Sequence, residues 1–220
     1  MRLLIISGGS HPYEESTPVL ERFLKNGAHE VNIEWDTKVL SDDNEMSKYD
    51  ALVFNTLRDK DTALNHAEKT GMKNFIKKGK GFVCIHISGC VSAVEREITG
   101  GGWDRDVSFH PPFGSFTVNV INSQHPGVLG VSDFVTNDEL YMGIEYSDDN
   151  DVFMTADSEQ GTHDWKGEAM FMPAETFPLG WTRKYGDGRV FVTLLGHNGF
   201  SFETQEFQQI ILNGVDWVTD

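Results

Sequence analysis

Three short apolar runs, Leu3 to Ser7, Ala51 to Asn55 and Phe82 to Ile85, each stop abruptly at small or polar residues. Between them lie segments with helical spacing. Thr17 with Pro18 reads as a cap and first helical residue, Glu21 to Lys25 continue that helix, and Gly27 ends it. Ala28 to Glu34 reads as a further strand, and Ala67 to Lys78, closed by Gly79, as a second helix. Short apolar strands alternating with helices predict a parallel sheet covered on both faces, an α/β fold.

The middle of the chain is less regular. Gly100-Gly101-Gly102-Trp103 opens a long loop containing His110-Pro111-Pro112. Phe116 to Ile121, Asp151 to Thr155 and Leu179 to Thr182 read as strands. The turn Gly186-Asp187-Gly188 leads into Arg189 to Leu195 as a hairpin, and a final helix runs from Glu203 to Trp217. The expectation is one domain spanning residues 1–220, with an irregular insertion over the carboxyl edge of a mostly parallel sheet.

In such a sheet the pocket lies outside the carboxyl ends of the strands. Histidines follow apolar runs at Ser7-Gly8-Gly9-Ser10-His11, at Ile85-His86 and at Leu195-Gly196-His197. Burying several imidazoles at one sheet end requires partners or a ligand. His86 stands at the tip of a strand-to-helix turn, where a hydrolase would carry serine or cysteine. Beyond it, Ser88 and Gly89 offer amide groups to a carboxylate or developing oxyanion. His86, His197 and Glu139 are the candidate catalytic residues, whereas His11, His110, Ser88, Gly89 and Trp103 are candidate substrate contacts. Asp138, beside Glu139, reads as a surface carboxylate. The Gly100–Gly102 segment is expected to close over the pocket.

No cofactor is specified by this pattern. Zinc or another divalent metal, if used, would fall to His86, His110, Glu139 and His197, although no short His-x-x-x-His pair occurs. Cys84 and Cys90 provide neither a disulfide framework nor a Cys-x-x-Cys pair. Cys84 reads as core, and Cys90 as directed into helix packing rather than as a nucleophile. The net charge of −16, from 34 acidic and 18 basic side chains, opposes nucleic acid or an anionic membrane as partner. No apolar run approaches the roughly 20 residues that span a bilayer. A cytoplasmic homo-oligomer is the expectation.

In order along the chain come Gly8-Gly9-Ser10-His11, Gly79-Lys80-Gly81 to His86, Gly100-Gly101 with His110-Pro111, His125-Pro126 and Asp138-Glu139-Leu140-Tyr141. Gly188-Arg189-Val190-Phe191 leading to Leu195-Gly196-His197, and Gly214-Val215-Asp216-Trp217, complete the series. Together they resemble the trehalose-utilisation (ThuA-like) family of the class I glutamine-amidotransferase-like superfamily. The resemblance implies a flavodoxin-like three-layer α/β/α sandwich with its pocket at His86. It also implies that His86 replaces the amidotransferase cysteine, and that His197 matches the amidotransferase histidine but is followed by Asn198-Gly199 instead of Pro-Glu. Glutamine hydrolysis is therefore not expected. The implied role is in disaccharide and keto-sugar metabolism, as a sugar-modifying enzyme using histidine acid–base chemistry. The alternatives are a sugar-binding protein and a zinc-dependent enzyme, with an oxidoreductase as the accompanying partner.

Overall fold

The computed structural model describes residues 1–86, 91–165 and 167–220. Its first half is built as the alternation predicts. Strands β1 (Arg2–Gly9), β2 (Glu30–Glu34), β3 (Ala51–Leu57) and β4 (Gly81–Ile85) are joined by helices that include α1 (Tyr13–Asn26) and α2 (His66–Lys77). Helix α3 (Ala93–Thr99) follows β4. Leu3 to Ile6, Ala51 to Val53 and Phe82 to Ile85 are fully buried, as both-face coverage of a parallel sheet requires.

The insertion extends the sheet. Strands β5 (Gly114–Val120), β6 (Phe134–Asp138) and β7 (Asp151–Asp157) come first, then a separate hairpin, β8 (Gly161–Trp165) with β9 (Glu168–Met172). Strands β10 (Thr176–Tyr185) and β11 (Gly188–Thr193) form the hairpin read at Gly186-Asp187, and α4 (Gly199–Phe202) and α5 (Gln205–Thr219) close the chain. Among the described residues nine strands make one sheet in the order β2-β1-β3-β4-β11-β10-β7-β5-β6. Pairing is parallel from β2 to β11 and antiparallel from β11 outward to β6. Helix α5 packs on β4 and β11, and α1 on β1 and β2. The outcome is the expected α/β sandwich, with the sheet's antiparallel half supplied by the insertion.

Three local expectations are corrected. Helix α1 begins at Tyr13, so Thr17 is not its cap and Pro18 lies inside it. The buried Thr17 hydroxyl instead meets Ser7 Oγ at 2.5 Å and accepts from the Asn55 amide, fastening α1 to the sheet. Strand β2 starts at Glu30, because Ala28 takes a left-handed φ of 64° in the turn. Gly100–Gly102 is a packed crossing and not a lid. Gly100 caps α3 at φ 68°, where a side chain would strike the Arg183 guanidinium, and Gly101-Gly102 pairs with Glu145-Tyr146.

Candidate active site

The pocket is assembled at the carboxyl ends of β1, β4 and β11 together with the end of β6. His86 directly follows β4, and its N–H still donates to the Thr193 carbonyl, so the sheet ladder positions it. Its φ of 59° lies in the left-handed region, unusual for a side chain of this size and a mark of a backbone held by its surroundings. The imidazole is fully buried. Since a carbonyl only accepts, His86 Nδ1–H donates to Leu194 O at 2.7 Å. In the neutral ring Nε2 is then the acceptor; it faces the pocket, where the Tyr141 hydroxyl is in position to donate to it at 2.6 Å.

His197 arrives after the sharp turn at Gly196. Its Nδ1 is 3.4 Å from His86 Nε2 and 3.1 Å from Glu139 Oε2. The same carboxylate oxygen is 3.5 Å from both His86 Nε2 and His110 Nε2. That oxygen is buried and makes no aligned hydrogen bond, whereas the His86 and His197 imidazoles are in hydrogen-bond contact with each other. His110 is oriented by its own loop, with Nδ1–H donating to Pro111 O at 2.8 Å. His11 stands edge-on to both His86 and His197, with ring centroids 5.3 and 5.0 Å away. Ring nitrogens of His11, His86 and His197 lie within 4.8 Å of one another, close enough to share a metal ion. Trp103 is half-buried against Tyr141, with ring centroids 4.7 Å apart, and Phe113 lies 5.6 Å from the His197 ring.

These neighbours shift the ionisable groups. Burial, and then the neighbouring imidazoles of His86 and His197, push the His11 imidazole down to about 3. Burial also lowers His110, against the pull of Glu139. Burial lowers His197 too, but the adjacent Glu139 carboxylate outweighs it and the net shift is upward. For Glu139, burial raises the carboxyl, yet His197 and His86 outweigh burial and hold it well below the usual carboxylate range. Burial and the nearby Glu139 keep the Tyr141 phenol well above its ordinary value.

The structure thus brings His11, His86, His110, Glu139 and His197 together, with Trp103 at the edge of the cluster. Ser88, Gly89 and Cys90 lie outside the described residues. Cys84 is core, as read. Asp138 corrects the sequence reading. It is buried, accepts from the N–H groups of Gly196 (2.7 Å) and His197 (3.2 Å), and caps Glu139 N at 2.9 Å. Burial raises its carboxyl despite those donors. Tyr141 is a site residue to which the sequence assigns no role, although it stands two residues from Glu139. Trp181 is fully buried with Nε1 donating to Thr99 O, hence packing, and Trp35 is about half exposed.

A parallel α/β core with a histidine in strained backbone just past the fourth strand places the chain in the flavodoxin-like class. The model of the ThuA family, trehalose utilisation, matches residues 2–218, and the chain belongs to this family. Similar solved structures include a putative ThuA-like protein from Parabacteroides merdae, 21% identical at a TM-score of 0.78, covering 99% of this chain and 89% of that one. Another, from Bacteroides uniformis, is 16% identical at 0.72, covering 99% and 90%. A cytoplasmic protein from Salmonella typhimurium is 17% identical at 0.67, covering 99% and 98%. At these identities the likeness is one of fold. No curated protein gives a significant sequence match. No helix among the described residues is long and apolar enough to cross a membrane.

Proposed function

We propose that this chain is a carbohydrate-metabolism enzyme acting on a sugar or keto-sugar of trehalose or a related disaccharide, by histidine acid–base chemistry and without glutaminase activity. The observation that carries the reading is the meeting of His86, His197 and Glu139 within 3.1 to 3.5 Å of one another, in a family tied to trehalose utilisation. Imidazoles exchange protons in the neutral range, and enolisation, isomerisation or elimination beside a carbonyl needs no nucleophile. His86, His197 and Glu139 are the catalytic residues, in contact with the reacting oxygens. His11, His110 and Trp103, with Ser88 and Gly89, bind the rest of the sugar. Trp103 supports this role as an aromatic wall beside polar groups, the surface that suits a ring with apolar faces and hydroxyl edges.

We place the protein in the cytoplasm as a homo-oligomer, working beside an oxidoreductase that supplies the keto-sugar, and not on nucleic acid or membrane. The test is incubation with keto-disaccharides followed by mass spectrometry. A new product is expected, with His86→Ala abolishing it and glutamine left intact. Undiminished turnover in that variant would remove His86 from the centre. Tight sugar binding with no conversion would make the chain a sensor or carrier instead.

A further inference from the structure

We infer that His86, Glu139 and His197 form the seat of a divalent transition-metal cation of the zinc class, its open position facing the sugar. The inference rests on the proposed function for the nature of the ligand but not for the ion itself; with the ion bound, these three groups hold it and proton exchange falls to the neighbouring Tyr141 and His110.

Three independent features point to it. The first is spacing. Donors about 2.0–2.2 Å from a tetrahedral ion stand about 3.3–3.6 Å apart. Here His86 Nε2, His197 Nδ1 and Glu139 Oε2 are separated by 3.4, 3.5 and 3.1 Å. The second is orientation. His86 gives its Nδ1–H to a backbone carbonyl, the outer-sphere bond that fixes a metal-binding histidine with its other nitrogen turned inward. The third is the buried Glu139 Oε2, which makes no hydrogen bond although three imidazole nitrogens surround it. An anionic oxygen turned toward three imidazole nitrogens without an aligned hydrogen bond stands where a metal ligand's donor atom would, and a cation at the centre of the donors would be its counter-charge.

Two imidazoles and one carboxylate suit zinc better than calcium or magnesium, which favour all-oxygen sets. His110, 3.5 Å from the same oxygen, and His11, edge-on to both ligand imidazoles, are the neighbours of the open position. The Tyr141 hydroxyl stands 2.6 Å from His86 Nε2, so loading the ion displaces the phenol from that lone pair and frees it to meet a bound oxygen. Vicinal sugar oxygens, or a carbonyl in which charge develops, are the ligands such an open position takes.

The test uses the full chain after chelator treatment, titrated with Co²⁺ and Zn²⁺ by calorimetry and visible absorption. One ion per chain is expected, with the intense visible bands of tetrahedral Co²⁺. Glu139→Gln and His197→Asn should each weaken binding by more than about 100-fold, beyond the loss from an outer-sphere partner. If a variant does not fold, the stoichiometry and spectrum of the unaltered chain decide alone. Absence of Co²⁺ binding at millimolar concentration, or binding unchanged in both folded variants, overturns the seat. Keto-sugar turnover that is equal with and without metal overturns the open position facing the sugar while sparing the proposed function. One bound ion with no turnover of any sugar sinks the function and spares the seat.

Discussion

The Asp138 carboxylate, buried at the end of β6, accepts the backbone N–H of His197, which lies 59 residues further along the chain, at 3.2 Å. Its other oxygen accepts from Gly196 N, and the first also caps the N–H of Glu139. One carboxylate therefore fixes both an imidazole and the acid facing it. In Asp138→Asn an amide NH₂ would confront at least one of those donors. The expected cost is about 1–3 kcal/mol for a buried donor left unpaired, read as a lower denaturant midpoint, with loss of sugar turnover in the fraction that remains folded.

Tyr141→Phe keeps the ring packed beneath Trp103 and removes only the hydroxyl that donates to His86 Nε2. Because that nitrogen faces the pocket, the chemical step should suffer more than the fold. Turnover is expected to fall about 100-fold, in the range of a positioned acid–base group, while the sugar affinity of the variant changes little. A variant with full kcat would place the phenol outside the chemistry.

Gly196 carries the turn that presents His197. Its φ is +113°, and an added Cβ would lie 2.7 Å from Ile85 Cγ2. Gly196→Ala combines backbone strain with overlap and should cost more than the roughly 1–3 kcal/mol of an unfavourable φ alone. Gly130→Ala is the comparison, since Gly130 has φ +76° but nothing within 4 Å. Thermal midpoints of the two variants should separate clearly. Equal shifts would mean that the contact with Ile85 relaxes at no cost.

His125 sets a pH dependence away from the pocket. Gly127 N donates to its Nδ1, its Nε2–H meets Thr182 Oγ1 at 2.9 Å, and its ring stacks on Phe153. Burial lowers its pKa from the ordinary 6.5, only partly opposed by Asp151. As pH falls through 6.5 the unfolded chain takes up the proton first, so stability held above that pH is lost on acidification. Burial lowers His29 as well, with the same sign. Denaturant unfolding between pH 7.5 and 5.5 should show a falling midpoint. His125→Gln should lower the starting stability and flatten the fall, and an unaltered slope would assign the effect elsewhere.

What was readable from the sequence follows from local physics. Leu3 to Ser7, Ala51 to Asn55 and Phe82 to Ile85 are continuous apolar runs because strands covered on both faces must be. The polar residues that end them mark the edge where backbone leaves the sheet, which is why the sequence alone assigns His11, His86 and His197 to one end of it. The Gly186-Asp187 hairpin was likewise visible as turn chemistry between two strands.

The rest needed contacts that local pattern does not encode. Whether a carboxylate is on the surface or buried depends on the N–H groups that meet it, and those of Asp138 come from Gly196 and His197 across the sheet. Tyr141 carries the composition of any core aromatic. Only its approach to His86, 55 residues away in sequence, gives its hydroxyl a site contact. Thr17 suits a helix cap locally, but Ser7 and Asn55 offer its hydroxyl buried partners and α1 starts at Tyr13 instead. The sequence by itself determined which strands are buried and which histidines leave them. The tertiary structure decided which polar atoms share a desolvated volume, because desolvation and hydrogen bonding act between surfaces that the chain brings together only when folded.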